Sequence, residues 1–343
     1  MDKVIVFSVA GSGKSTKIID YIERDSRCVV VTYTENNAIS LKKRIVSKFG
    51  TMPEGVRVYT YFTFLYSFCF RPLALFKSKG LCFEQQLPAY SARAVKTHRF
   101  HFMNKSNRLY HNRLAKIFSQ YKCAEEVNER IGKFFDTVYI DEFQDFSAND
   151  FNFICGMADA NFNMFLVGDF FQHTFDTSRD GSVRKNLFAD YDKYCSLLGN
   201  YGFVINRDML THSYRCSPTI CSFVAEKLGI EIFSHREDEV EIKELECSEE
   251  INSVWCNDGI VKLFYNGSNR YKGNVNNWGA VKGLDDFEDV CVVLNPKTYQ
   301  SYKSNSLLEL PPNTKNKLYV ACTRAKGNLY FIEQKKLNCY KEK

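Results

Sequence analysis

Residues 4–16 read Val4-Ile5-Val6-Phe7-Ser8-Val9-Ala10-Gly11-Ser12-Gly13-Lys14-Ser15-Thr16. An apolar, β-branched run ends in a glycine-rich turn, and Ile18, Ile19 and Ile22 then follow at helical spacing. The stretch therefore predicts a strand, a glycine loop and a helix in succession. In that setting Gly11 and Gly13 let backbone N–H groups converge on phosphate oxygens, with Ala10, Ser12 and Thr16 completing the cradle. The helix N-terminus adds its positive dipole, Lys14 reaches the β- and γ-phosphates, and the Ser15 hydroxyl can hold Mg2+. Ser8 stands where such loops usually open with Gly or Ala, and it is small enough for the same turn.

A second predicted strand, Thr137 to Ile140, runs into Asp141-Glu142-Phe143-Gln144-Asp145. Carboxylates at a strand end face the phosphate loop of such a sheet. Asp141 is placed to bind Mg2+ through water, and Glu142 to take a proton from the water that attacks the γ-phosphate. ATP and Mg2+ are the expected cofactors. Alone, a strand followed by Asp-Glu also fits a loop start or a helix cap; the glycine loop upstream decides between these readings.

Bulk properties bound the rest. With 343 residues and 45% hydrophobic content, two cores of ordinary domain size are expected. The 29 Phe and 20 Tyr fit dense cores, base-stacking surfaces or a partner interface. A net charge of +6 permits a polyanionic partner without requiring one. Thirteen cysteines, an odd number without a C-x-x-C pair, indicate neither a disulfide framework nor a zinc site and fit a reducing cytoplasm. His98 and His101 form an H-x-x-H without nearby carboxylates or thiols, which argues against a metal. The first residues lead into the glycine loop and not into a cleavage site, so they are not read as a secretory signal. No apolar run approaches the roughly twenty residues that span a bilayer.

With these motifs in hand the chain resembles superfamily 1 helicases of the UvrD, Rep and PcrA type, in which D-E-x-Q-D follows the second strand. Val29 to Ile45, VVVTYTENNAISLKKRI, resembles the next family motif, and Thr60 to Phe64, TYFTF, the one after it. The resemblance implies DNA contacts at Thr32, Tyr33, Asn37, Thr60 and Phe64. Leu166 to Gln172, LVGDFFQ, is similar to the motif whose glutamine senses the γ-phosphate, here Gln172. Tyr214-Arg215 matches a Tyr-Arg pair that stacks on adenine and contacts the γ-phosphate. Lys282-Gly283-Leu284-Asp285 resembles K-G-L-E, which implies nucleotide contacts at Gly283 and Asp285 and a DNA contact at Lys282. Val320 to Lys326, VACTRAK, resembles V-A-x-T-R-A, whose arginine, Arg324, is the second finger.

The resemblance implies an α/β fold of two RecA-like P-loop NTPase domains with parallel sheets. The first would cover residues 1–200 with a small helical insert near 70–133, and the second residues 201–343. About 65 residues separate Arg215 from Lys282, so the large helical insertion that relatives carry there is missing or vestigial. The insert holds Arg93, Lys96, Arg99, Lys105, Arg108, Arg113, Lys116 and Lys122 among aromatics, and reads either as a nucleic-acid surface or as a solvated helical face. Residues 236–250 are acidic and read as a solvated face or loop.

On the DNA side the sequence departs from the family. Phe175 keeps the first aromatic after Gln172, but Thr177 stands where a tryptophan stacks on a base, a contact worth about 1–3 kcal/mol. Asn277 and Gly279 replace a Thr and a His, and Trp278 and Arg179 are the candidates to take over those roles. Two functions follow. One is a compact DNA-dependent ATPase moving on single-stranded or partly duplex DNA, with 3′ to 5′ polarity implied by the family. The other is a helicase-like regulatory subunit of a bacterial anti-phage complex, whose partner would be an OLD-type ATPase-nuclease.

Overall fold

The structure is a computed structural model and describes residues 2–84, 86–174, 180–284 and 287–342. By its internal contacts the chain divides into two units. Residues 1–6, 15–168 and 176–206 make up the first, and residues 7–14, 169–175 and 207–343 the second.

The first unit is built on a six-stranded sheet in the order Val56–Thr60, Cys28–Thr32, Thr137–Ile140, Asn163–Gly168, Lys3–Ser8, Val204–Leu210. Cys28–Thr32 pairs in parallel with both its neighbours, and Thr137–Ile140 pairs in parallel with Asn163–Gly168. All five residues of Cys28–Thr32 are buried, which is why that strand reads as an unbroken β-branched run and not as an alternation. The helix Glu35–Phe49 follows, opened by the Thr34 hydroxyl accepting from the Asn37 N–H at 3.2 Å and closed by Gly50 at φ 81°. At the end of Asn163–Gly168 the chain passes so close to its neighbour that a Cβ on Gly168 would lie 2.6 Å from Gln144 Oε1 and 3.2 Å from the Phe143 and Gln144 backbone nitrogens. Glycine is favoured there by close approach and not by dihedral.

Residues 70–133 hold several short helices and a two-residue parallel strand pair, Leu81–Cys82 and Leu109–Tyr110. The helix His111–Gln120 packs on Ala148–Gly156, where the Phe118 and Phe153 rings lie 5.0 Å apart. Arg113 and Lys116 on that helix both pair with Asp180, at 3.1 and 3.2 Å. His101 lies between the two cations, each 3.2 Å from one of its ring nitrogens. Burial and then the two neighbouring cations drive its pKa down to about 4. The folded value thus lies below the ordinary one near 6.5, so the ring stays neutral in the fold. Its stabilising contribution is complete above about pH 6.5 and is lost as pH falls towards the folded value. Thermal melts between pH 7 and 5 should therefore show a shallower acid loss for His101→Asn than for the wild type; equal slopes would contradict this account.

In the second unit five strands run in the order Ile242–Glu244, Leu329–Glu333, Val290–Leu294, Val261–Phe264, Val275–Asn277, with every pairing parallel. Along Val290–Leu294 the side chains alternate between two apolar clusters. Val290, Val292 and Leu294 enter one, and Cys291 and Val293 the other, so both faces of the sheet are covered. Val9 and Ala10 belong to the first of these clusters. The chain is thus an α/β fold with two main parallel sheets and interspersed helices.

Candidate functional site

The glycine loop connects Lys3–Ser8 to the helix Lys14–Tyr21, as the sequence predicts. Gly11 and Gly13 adopt φ of 71° and 84°, open to glycine at no steric cost. Ser12 is buried, its hydroxyl donating to the Val9 carbonyl at 2.9 Å, whereas Thr16 is exposed and accepts from Arg44. The Lys14 side chain is buried at 8% exposure, and among the described residues its ammonium meets no carboxylate. A cation at a helix start beside a glycine loop, with no counter-charge of its own, suits an anion.

Within the first unit the Ser15 hydroxyl donates to Asp141 Oδ2 at 2.9 Å, and Asp141 itself is 1% exposed at the end of Thr137–Ile140. A hydroxyl beside a carboxylate is an oxygen donor set suited to Mg2+, which keeps several waters and takes few protein ligands. No group of three or more His, Cys, Asp or Glu is assembled among the described residues. Glu142 sits in the left-handed region at φ 56° and ψ 48°, a conformation rare for a residue with a side chain. Its backbone N–H donates to Asp141 Oδ1 at 3.1 Å and its carboxylate accepts from the Gln144 amide. The left-handed residue turns the chain away from the strand immediately after Asp141.

Within the second unit the loop touches the Ser213–Arg215 segment. Tyr214 N–H donates to the Gly11 carbonyl at 2.9 Å, and a Cβ on Gly11 would lie 2.8 Å from both Arg215 Cβ and Ser213 Oγ. Arg215 sends one guanidinium nitrogen to the Thr323 carbonyl at 3.2 Å, and Arg324, 2% exposed, sends one to the Leu284 carbonyl at 2.9 Å. The Arg215 guanidinium thereby meets the C-terminal end of the helix Pro312–Cys322, where carbonyls favour a cation. Gln172 is buried, its amide nitrogen donating to Asp169 Oδ2 at 2.9 Å. Tyr214 is 64% exposed and one face of its ring is covered by His235, with centroids 4.0 Å apart and planes 18° apart.

Two residues that the sequence reading did not single out join this group. Tyr319 is fully buried; its hydroxyl accepts from Ala10 N–H at 2.8 Å and donates to Asp169 Oδ2 at 2.9 Å. Burial, and after it the Asp169 carboxylate, pushes the Tyr319 phenol well above its ordinary pKa. Both residues lie beside motifs already quoted: Asp169 is inside LVGDFFQ, and Tyr319 directly precedes VACTRAK in an otherwise apolar run.

Of the DNA-side candidates, Thr32, Tyr33 and Thr60 lie close together in the first unit. Thr32 and Thr60 are buried at the ends of adjacent strands, the Thr60 hydroxyl donating to Thr63 at 2.8 Å. Tyr33 packs among Tyr61, Phe62 and Phe146, and Asn37 is half-buried at the start of its helix. Phe64 is 1% exposed and stacked on Phe68, so it presents no ring face to a base. Trp278 is likewise withdrawn: it is fully buried and its indole N–H donates to the Leu263 carbonyl at 2.8 Å, which removes it as a replacement stacking platform. Lys282 is half-buried, and Gly283 is exposed with φ 81°. Phe175, Thr177, Arg179 and Asp285 lie outside the described residues.

A different cationic feature is clear in the first unit. Between Arg71 and Lys122 stand eleven Lys and Arg against the single Glu84, although the whole chain carries only +6. Arg113 and Lys116 are committed to Asp180, and the other nine are exposed. No described helix is long and apolar enough to cross a membrane.

Comparison with known proteins agrees with this architecture. Residues 83–176 match the UvrD/REP helicase N-terminal domain family. No curated protein matches the chain by sequence. Among solved structures the chain is similar to arterivirus nonstructural protein 10, a helicase, in complex with DNA, at 12% identity and a TM-score of 0.53, over 97% of this chain and 61% of that one. The same arterivirus protein in another crystal structure matches at 12% identity and a TM-score of 0.51, over 98% and 62%. The PRRSV helicase matches at 11% identity and a TM-score of 0.50, over 98% and 54%. The chain therefore spans little more than half the length of these proteins. Taken with the parallel sheets, these likenesses show that the chain shares the α/β fold of those proteins.

Proposed function

We propose that the chain is a nucleic-acid-stimulated ATPase of the UvrD type, built from two RecA-like domains and coupling hydrolysis to movement on single-stranded DNA. The observation that carries the ATPase part is Lys14, a residue of 8% exposure with no carboxylate partner among the described residues, held at the start of a helix behind a loop whose glycines take positive φ. A triphosphate supplies the missing negative charge. Ser15 and Asp141 would hold Mg2+, which neutralises charge on the phosphates when bound. Glu142 takes the proton of the attacking water, while Arg215 and Arg324 supply positive charge to the leaving phosphates. Gln172 reads the presence of the γ-phosphate, and Tyr214, backed by His235, offers its outer face to the base.

The nucleic-acid part rests on the nine exposed cations between residues 71 and 122, a stretch whose only acidic residue in sequence is Glu84, which suits them to neutralise phosphates. Steady-state ATPase of the purified chain should rise with single-stranded DNA, and the stimulation should fade with salt. Reversing Lys96, Arg99 and Lys105 to Glu should raise the half-saturating DNA concentration by roughly tenfold or more and flatten the salt slope by about 0.7 for each phosphate no longer neutralised. Turnover indifferent to DNA and RNA at low salt would remove the motor reading. Turnover that appears only when an ATPase-nuclease partner of the OLD type is added would make the chain a regulatory subunit instead.

A further inference from the structure

Four groups in the second unit form a chain of hydrogen bonds whose direction is fixed. Ala10 N–H can only donate, so the Tyr319 oxygen accepts from it at 2.8 Å and spends its own proton on Asp169 Oδ2 at 2.9 Å. The same carboxylate oxygen accepts from Gln172 Nε2 at 2.9 Å, and Asp169 Oδ1 accepts from the Phe171 N–H at 3.1 Å. Tyr319 and Asp169 are 0% exposed and Gln172 is 3% exposed, so water does not readily replace any member. The carboxylate orients the Gln172 amide through one of its N–H groups.

We propose that Tyr319 is a positioning residue, linking the phosphate loop at Ala10 to Gln172 through Asp169. The proposal rests on the ATPase reading for its purpose. When Gln172 gains or loses a γ-phosphate contact, the strength of its bond to Asp169 changes, and Tyr319 passes the change to the loop. Ala10 N–H reaches the Asp169–Gln172 pair through the Tyr319 hydroxyl.

Tyr319→Phe removes only the hydroxyl and keeps the ring that packs edge-on against Phe171, with centroids 6.4 Å apart. It should lower kcat by about tenfold to a hundredfold, as expected for losing a bond to a charged group, with KM changed by less than about threefold. Gln172→Ala should do the same, and the double variant should be little worse than the poorer single one, because the two act in series. Multiplying losses, or wild-type kcat in Tyr319→Phe, would overturn the proposal. A second readout needs no turnover. In the folded wild type the Ala10 amide resonance should shift on Gln172→Ala, and the shift should vanish in the Tyr319→Phe background; an Ala10 resonance blind to Gln172 also overturns it. Should Tyr319→Phe fail to fold, Asp169→Asn, which leaves the Ala10–Tyr319 bond, takes its place in both assays with the same expectation. A wild-type chain that hydrolyses no ATP refutes the ATPase reading, while the resonance experiment still decides on the link.

Discussion

Glu142→Gln is expected to cut ATP turnover by roughly a hundredfold to ten-thousandfold, the usual contribution of a positioned general base, while ATP binding stays close to that of the wild type. The substitution keeps the shape of the side chain and its contact with Gln144 but removes the ability to take a proton. It leaves untouched Lys14 and the Ser15–Asp141 pair, whose bond is 2.9 Å long. The left-handed backbone of Glu142 makes the prediction sharper, since a strained residue is retained where its direction matters. Single-turnover hydrolysis and equilibrium binding of a fluorescent ATP analogue separate the two quantities. Lys14→Ala should show the complementary defect, with binding itself weakened. Unchanged turnover in Glu142→Gln would leave the second carboxylate of the DEFQD turn without a chemical role.

Asp180→Ala is expected to cost about 3–5 kcal/mol of stability, because it removes the carboxylate partner of a buried guanidinium and a neighbouring ammonium. Arg113 is 7% exposed and Asp180 12% exposed at their side chains, so solvent cannot take over from the missing partner. Urea unfolding of the wild type and the variant measures the difference, and a loss below about 1 kcal/mol would mean that the site relaxes or hydrates. Burial opposes ionisation of Asp180, but Arg113 and Lys116 together outweigh it and hold the carboxyl below its ordinary range. The sign follows. This carboxylate stabilises the fold fully above the ordinary aspartate range, and the contribution is lost as pH falls through the lowered folded value. The variant should therefore lack that part of the wild type's acid sensitivity.

The motif-bearing parts of the fold were legible because their chemistry demands particular residues next to one another. Glycines in the loop, a lysine at the helix start and carboxylates at a strand end are local requirements, and a linear reading finds them. Tyr319 and Asp169 were not found, because the bonds that give them meaning join residues 150 and more positions apart. Burial was the other hidden variable. Phe64 and Trp278 look like base-stacking aromatics in the sequence, yet each fills a core, because an aromatic-rich chain must bury most of its rings. The insert shows the same limit from the opposite side. Arg113 and Lys116 read like their cationic neighbours, and only Asp180, more than sixty positions away, marks them as structural.

The strand order of the second unit bears on how the polypeptide comes to be folded as it is synthesised. Leu329–Glu333, the last of the five strands to leave the ribosome, lies between Ile242–Glu244 and Val290–Leu294, so Ile242–Glu244 has no neighbour until it arrives. The glycine loop must likewise wait for Tyr319, 309 positions later, before Ala10 finds its partner. Closing such long loops is slow, and the nascent chain carries an unpaired apolar edge throughout elongation. Chaperone dependence during expression, and intolerance of any stop codon that removes Leu329–Glu333, follow from that order alone.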